Sequence, residues 1–245
     1  MVRNTTEYGQ KFTSLLRKIV RAHRAKLPDP HDPITELING FLQWNASRRM
    51  ANSALNRIDE AVVDHNELRV SHDDEIVTMI GDSYPLVTER AARLRESLQE
   101  IFVRQHTLSL ECLVEKSKKE ARSYLESLPG MVPYVAAHAM LLCFDGHAVP
   151  VDDRLAELLR HEEVVDPNAG VEEITVFLER RILADSALQS YVAMKAWSDA
   201  GTRRISTART SATSRKSGGA KKTTSKAGRS RVAARSNGRR TKAGR

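Results

Sequence analysis

Asp152 is the side chain in this sequence best placed to carry chemistry. It follows Val149, Pro150 and Val151 and comes directly before a predicted helix over residues 153–159. A carboxylate is anionic at pH 7, so it can stabilise positive charge on a reacting group without transferring a proton. An aspartate in front of a helix also caps the free N–H groups of the first helical turn. The two roles are compatible, and the sequence leaves both open.

A tight turn between two helices lies upstream of Asp152. Leu128 ends one predicted helix, and Pro129 and Gly130 form the turn. Pro133 suits the first position of the next helix, because its φ is fixed and its missing N–H is not needed there. That helix is apolar except for His138, for which a core or cleft position with a satisfied ring is expected rather than catalysis.

These two features resemble the helix-hairpin-helix and aspartate loop of the endonuclease III-like (HhH-GPD) DNA glycosylase superfamily. The Leu-Pro-Gly of residues 128–130 matches the hairpin, and Val151 and Asp152 match the loop at the expected distance. The resemblance covers roughly residues 30–195. It implies base excision, in which a base is flipped out of the DNA stack and Asp152 stabilises positive charge on the deoxyribose.

Three positions depart from the pattern of that family. Val132 replaces a hairpin glycine, whose missing Cβ lets backbone N–H groups approach a phosphate. Tyr134 stands where bifunctional members carry a lysine that forms a Schiff base with the sugar. Glu157 stands where such glycosylases usually have an arginine. The chain is therefore expected to be a monofunctional DNA glycosylase acting on a damaged or mismatched base.

Two alternatives to catalysis stay open. The first is a related fold that has lost its chemistry and binds DNA architecturally through a basic tail. This alternative is favoured by Val132, Pro133, Glu157 and the excess of acidic over basic residues in 1–200, whereas Asp152 favours the enzyme. The second is an unrelated all-α interaction module with a polyanion-binding tail.

Candidate DNA contacts fall in the hairpin and in one other turn. Asn45 lies where endonuclease III-like enzymes carry a glutamine that fills the gap left by the flipped base, although a turn asparagine that caps a helix is the plainer interpretation. By the same resemblance, the hairpin residues expected to contact DNA are Leu128, Pro129, Gly130, Val132 and Tyr134.

The charge is divided unevenly along the chain. Residues 201–245 contain 15 lysines and arginines and no acid, whereas residues 1–200 contain 24 basic and 31 acidic residues. A segment rich in Ser, Thr, Ala, Gly, Lys and Arg cannot bury enough apolar surface to fold, so disorder and binding to polyanions are expected for 201–245. The expected partner is double-stranded DNA, held largely through its phosphates; representative tail contacts are Arg203, Arg204, Lys221, Lys222, Arg239 and Arg240.

The rest of the sequence reads as all-α, because no segment shows sustained alternation of apolar and polar residues. The family precedent adds two lobes within residues 1–200, with the N-terminal helix packing against the last helices. Arg90, Arg93, Arg95 and Arg104 are expected on a solvated outer face. Predicted helices cover residues 6–27, 34–44, 48–63, 74–80, 85–105, 121–128, 133–144, 153–159, 171–184 and 186–198.

Several classes of protein are disfavoured by composition. Cys112 and Cys143 are too few for a disulfide framework or a four-cysteine iron–sulfur cluster, and the eight histidines show no metal-ligand spacing with them. No cofactor or metal is therefore expected. The first 25 residues are charged and amphipathic, and no apolar run approaches the roughly 20 residues of a membrane span. A monomeric, cytoplasmic and nucleoid-associated protein is expected.

Overall fold

The chain folds into a set of packed α-helices. The computed structural model describes residues 5–23, 27 and 32–217, and for residues 5 and 202–217 it describes the backbone alone. Within these residues there are eleven α-helices, one 3-10 turn at Glu111–Leu113 and no β-strand, which confirms the predicted all-α class. The helices are α1 (Thr5–Ala22), α2 (Pro33–Gln43), α3 (Arg48–Ala61), α4 (His65–Val70), α5 (Asp73–Ile80), α6 (Val87–Gln105), α7 (Lys118–Glu126), α8 (Pro133–Cys143), α9 (Asp153–His161), α10 (Val171–Glu179) and α11 (Ala184–Ser217).

Helix α2 is the central element of the core. Asp32 caps it, since its Oδ2 accepts the N–H groups of Ile34 at 3.0 Å and Thr35 at 3.1 Å. Pro33 then occupies the first turn, as the Asp-Pro sequence predicts. Helices α3, α6 and α8 pack around α2 and bury its apolar side chains. A Cβ on Gly40 would lie 3.0 Å from Cδ2 of His138, so the missing side chain lets α8 approach α2 closely.

The predicted hairpin consists of α7, α8 and the turn between them. The hydroxyl of Ser117 accepts the Glu120 N–H at 3.3 Å, and Glu120 accepts the Ser117 N–H at 3.0 Å, so a capping box starts α7. Helix α6 holds the turn from outside. The Ser97 hydroxyl donates to the carbonyl of Pro129 at 2.7 Å, and Arg93 Nη1 donates to that of Gly130 at 3.4 Å.

The prediction that Arg90 lies on an outer face of α6 is wrong. Arg90 is fully buried and donates to the carbonyl oxygens of Phe41, Trp44 and Pro85, the last two at 2.6 and 2.9 Å. The last carbonyls of α2 have no N–H donor within their own helix, and the guanidinium of Arg90 provides the missing donors. Burial lowers the pKa of Arg90 to about 10. The other three arginines of this helix, Arg93, Arg95 and Arg104, pair with Glu89, Asp73 and Glu100 at 2.8, 2.5 and 2.7 Å.

Several helix boundaries differ from the prediction. Helix α1 ends at Ala22, where the prediction had 27, and α7 covers Lys118–Glu126 in place of 121–128. Helix α4 was not predicted, because it is one turn and a half long and buries only Leu68. Helix α10 ends at Glu179 instead of continuing to residue 184. Helix α11 continues to Ser217, past the expected end near residue 198. No proline stands between residues 198 and 217 to stop it. Residues 218–245, the rest of the predicted disordered tail, lie outside the described residues.

Helices α1 and α11 pack against neighbouring helices. Helix α1 contacts α10, where the rings of Phe12 and Phe177 meet edge to face with centroids 5.9 Å apart. Helix α11 contacts α9 at Gly201, where a Cβ would lie 3.0 Å from Cδ2 of Leu158. Helix α9 is the helix that begins after Asp152, so α11 helps to hold the aspartate in place.

Candidate active site at Asp152

Asp152 is buried at the N-terminus of α9 and caps it as expected. Its side chain is 3% exposed, and Oδ1 accepts the N–H of Leu155 at 2.9 Å. The other oxygen, Oδ2, accepts the N–H of Asn45 at 3.2 Å from the turn that follows α2. The carboxylate therefore joins two parts of the chain that are more than a hundred residues apart.

Asn45 forms the other half of this junction. Its φ of +52° is left-handed, a conformation that asparagine tolerates better than most residues. Its side-chain amide donates to Asp153 Oδ2 at 2.9 Å, and its side-chain oxygen accepts the Asp153 N–H at 3.1 Å. Asn45 thus fixes the turn against the start of α9. A contact between Asn45 and DNA stays a prediction.

Lys195 is a member of the site that the sequence analysis missed. It lies on α11, is 4% exposed, and its Nζ is 3.6 Å from Asp152 Oδ2. The ammonium donates to the carbonyls of Gln43 at 2.9 Å and Ala46 at 2.8 Å. Burial lowers the pKa of Lys195, and Asp152 opposes that shift. One signal was available: Lys195 stands alone among apolar residues between Tyr191 and Trp197.

A chain of buried hydrogen bonds runs behind the aspartate. The hydroxyls of Tyr134 and Tyr191 are 3.0 Å apart, and the Tyr191 hydroxyl is 3.0 Å from His138 Nδ1. His138 Nε2 is 3.2 Å from Glu36 Oε2. Burial lowers the pKa of His138, although Glu36 opposes the shift, and burial raises the pKa values of Tyr134 and Tyr191. The expected buried, satisfied His138 ring is confirmed.

A cavity of about 550 Å³ opens beside Asp152 and the hairpin. Trp44 provides an aromatic wall that sequence reasoning did not anticipate. Its indole also lies near the guanidinium of Arg90, whose Cζ is 5.4 Å from the ring centroid. Apolar residues of the hairpin and the aspartate segment form most of the remaining surface. The lining residues used below are Trp44, Met131, Val132, Pro133, Tyr134 and Asp152. A larger cavity, of about 1010 Å³ beside α10, contains none of the predicted site residues.

The hairpin turn has the backbone that its sequence predicts. Gly130 has a φ of +75°, the left-handed conformation that favours glycine. Leu128 is buried beneath the turn. Val132 occupies the N-cap position of α8, without a side-chain cap, and Pro133 takes the first helical position. The first turn of a helix leaves backbone N–H groups without intrahelical partners, and Pro133 removes one of them.

The remaining site predictions concern metal, membrane and tail. Among the described residues, no group of three or more His, Cys, Asp or Glu side chains is arranged to hold a metal ion. No helix in the described part of the chain is long and apolar enough to cross a membrane. The backbone of Arg203 and Arg204 lies within α11. Lys221, Lys222, Arg239 and Arg240 lie outside the described residues.

Comparison with known proteins identifies the fold. No protein-family model and no curated protein matches the sequence. Among solved structures, endonuclease III in a non-covalent complex with DNA is similar over 80% of this chain and 85% of its own, with 17% identity and a TM-score of 0.60. A thermostable thymine-DNA glycosylase is similar over 80% and 88%, with 18% identity and a TM-score of 0.55.

A third structure gives the same result. The Clostridium acetobutylicum 8-oxoguanine glycosylase/lyase, in complex with double-stranded DNA, is similar over 79% of this chain and 70% of its own, with 20% identity and a TM-score of 0.60. Identities of this size establish the fold. The chain has the helical fold of endonuclease III-like DNA glycosylases, as the sequence predicted.

Proposed function

We propose that this protein is a monofunctional DNA glycosylase, which hydrolyses the N-glycosidic bond of a damaged or mismatched base. The observation that carries the proposal is a buried carboxylate, Asp152, in the wall of a cavity of about 550 Å³ that also has aromatic surfaces. An enzyme that acts on a base must extrude it from the duplex and hold it against aromatic or apolar side chains. Trp44 and Tyr134 provide such surfaces next to the carboxylate.

The chemistry assigned to Asp152 is electrostatic. When the bond between C1′ and the base nitrogen breaks, its electron pair leaves with the base and positive charge develops on the sugar. An anionic carboxylate stabilises that charge, and water then adds at C1′ to give an abasic site. Asp152 is suited to this role because backbone N–H groups of Leu155 and Asn45 hold it in one position, so little reorganisation accompanies the reaction.

The position where bifunctional members of the endonuclease III-like superfamily carry their lysine supports excision without a lyase step. Tyr134 stands at that place, and a phenol cannot form an imine with an abasic sugar. Its hydroxyl is within hydrogen-bonding distance of Tyr191, 3.0 Å away. Lys195 is the amine nearest the aspartate, but it does not line the cavity, and it donates to the carbonyls of Gln43 and Ala46. We therefore propose base excision without a covalent sugar adduct.

We propose that DNA is held at two places. The hairpin turn, with its left-handed Gly130 and the N-terminus of α8, would contact phosphate through its backbone. The Val135 N–H of that helix already donates to the Val132 carbonyl at 2.9 Å. The basic segment 201–245, with 15 positive charges and no acid, would add affinity that does not depend on sequence. The acidic composition of residues 1–200 makes this second contribution important.

A second candidate function is architectural DNA binding without catalysis. Two observations favour it. Both oxygens of Asp152 already accept backbone N–H groups, as they would in a purely structural cap. Val132 also places a side chain on the cavity wall where a hairpin glycine would leave room for phosphate. On this alternative the protein would bind duplex DNA but would release no base.

A lesion panel separates the two candidates. Duplexes that each carry one oxidised, alkylated, deaminated or mismatched base are incubated with full-length protein, and abasic sites are scored by strand cleavage with hot alkali. A parallel sample is treated with borohydride. We expect abasic sites on at least one duplex and no trapped complex. Tight binding without excision on any duplex would favour the architectural function, and a trapped complex would show that an amine takes part.

A further inference from the structure

Lys195 is a buried charged side chain next to the cavity. Lysine is almost never fully buried unless its charge is paired, yet Lys195 is 4% exposed. Its ammonium has three N–H donors. Two point to the carbonyls of Gln43 and Ala46, at 2.9 and 2.8 Å, and Asp152 Oδ2 lies at 3.6 Å. The positive charge is thus surrounded by two carbonyl dipoles and one carboxylate.

The two carbonyls belong to the turn that builds the cavity. Residues 43–46 connect α2 to α3, and this turn carries Trp44, which lines the cavity, and Asn45, whose N–H binds Asp152. Lys195 therefore joins α11 to the cavity wall and to the aspartate through a single ammonium. Loss of the ammonium would remove the donor to the Ala46 carbonyl, whereas the Gln43 carbonyl would keep the Ala46 N–H at 3.2 Å. A buried carbonyl is costly to leave unpaired.

The charge of Lys195 matters as much as its hydrogen bonds. Asp152 is 3% exposed, and a buried carboxylate that loses its cation is left as an uncompensated charge, which is strongly destabilising. Other charged groups act on the ammonium as well: Asp199 supports it, and Arg48 and Arg154 oppose it. Of these groups, Asp152 has the largest effect on Lys195.

We propose that Lys195 is a positioning residue of the glycosylase reaction, which pairs with the buried Asp152 and fixes it against the turn that carries Trp44. This inference rests on the proposed function. Lys195 does not line the cavity, so it acts through Asp152 and not on the substrate. Helix α11 is accordingly part of the active site, although Lys195 lies more than forty residues after the aspartate in the sequence.

The first test measures the pairing without any reference to activity. Urea unfolding is followed for the parent protein, Lys195→Met, Asp152→Asn and the double variant. The control is Met194→Leu, a volume-conserving change at a buried neighbour on the same helix. Each single variant should lower the urea midpoint of unfolding. We expect the double variant to lower it by less than the two single shifts added together, because a neutral asparagine in place of Asp152 no longer needs the cation. Additive shifts would overturn the proposal, whether or not the protein is an enzyme.

The second test measures the reaction. Single-turnover excision is recorded from pH 4.5 to 8.5 on the duplex that the lesion panel identifies. Removing a cation this close to a carboxylate should move the acid limb of the profile of Lys195→Met upward by about 1–3 pH units. Lys195→Arg should restore the parent profile, and Met194→Leu should leave it unchanged. An equal loss of rate at every pH would show a merely structural role and overturn the proposal. Non-additive unfolding with no excision by the parent would overturn the proposed function and, with it, the catalytic role of Lys195.

Discussion

The hairpin turn allows a prediction whose size can be worked out from its contacts. Gly130 has a φ of +75°, and a Cβ at this position would lie 2.8 Å from the Cα of Arg93 on α6 and closer still to its carbonyl oxygen. A left-handed non-glycine residue costs about 1–3 kcal/mol. Moving the turn away from α6 costs about another 1–3 kcal/mol, as overpacking does elsewhere. Gly130→Ala should therefore lower the free energy of unfolding by about 2–6 kcal/mol.

Two other glycines separate these contributions. Gly81 has a φ of +101°, but a Cβ there would approach only Arg57 Nη2, at 3.5 Å, so Gly81→Ala tests backbone strain alone and should cost about 1–3 kcal/mol. A Cβ on Gly170 would meet nothing within 4 Å, so Gly170→Ala should cost only about 1 kcal/mol or less, the loss expected when alanine replaces the N-cap glycine of α10. Urea unfolding measures all three variants. If Gly130→Ala is no more destabilised than Gly81→Ala, the close approach of the hairpin to α6 is refuted.

Three further predictions concern the tail and two buried groups. Removal of residues 218–245, which contain ten lysines and arginines, should leave thermal unfolding unchanged but flatten the dependence of DNA affinity on salt, whose slope is about −0.9 per phosphate contact. An unchanged slope in a filter-binding titration would place the binding surface on residues 1–217. Burial raises the pKa of Cys143 to about 12 while Cys112 is exposed, so iodoacetamide at pH 8 should label Cys112 first, as peptide mass spectrometry would show. Burial lowers the pKa of His138, so the unfolded chain binds a proton that the folded protein does not, and stability should fall as pH drops below about 6.5, the pKa of an unfolded histidine. In urea titrations, His138→Gln should lose this fall in stability. A pH dependence equal to that of the parent would contradict the prediction.

Local signals in the sequence predicted much of the fold. Asp32 and Ser117 start helices through hydrogen bonds to residues two or three positions away, so the sequence around each of them is sufficient to predict the start. The turn at Gly130 and the cap at Asp152 are also local. Helix α4 was missed because a helix of six residues shows too little periodicity to be detected.

The parts that were missed depend on contacts between distant segments. Arg90 was expected to be solvated, yet it satisfies carbonyls at the end of α2, 46 and 49 residues away. The local indication of burial was that Arg90 lies four residues before Leu94, on the buried face of α6. Lys195 contacts a turn about 150 residues earlier in the chain. Trp44 forms part of a cavity only because α8 and the segment before α9 pack next to it. Such partners become visible once the helices are assembled.

The measurement that tests the proposed function most directly is the rate of base excision by Asp152→Asn relative to the parent. Asparagine keeps the shape of the side chain and its ability to cap α9, but it removes the negative charge. Loss of one preorganised electrostatic contact of this kind lowers the rate by about 10²–10³-fold. We expect at least that loss in single-turnover assays near neutral pH, with an unchanged circular dichroism spectrum and unchanged binding to undamaged duplex. Equal excision by the two proteins would contradict the assignment and leave Asp152 as a helix cap.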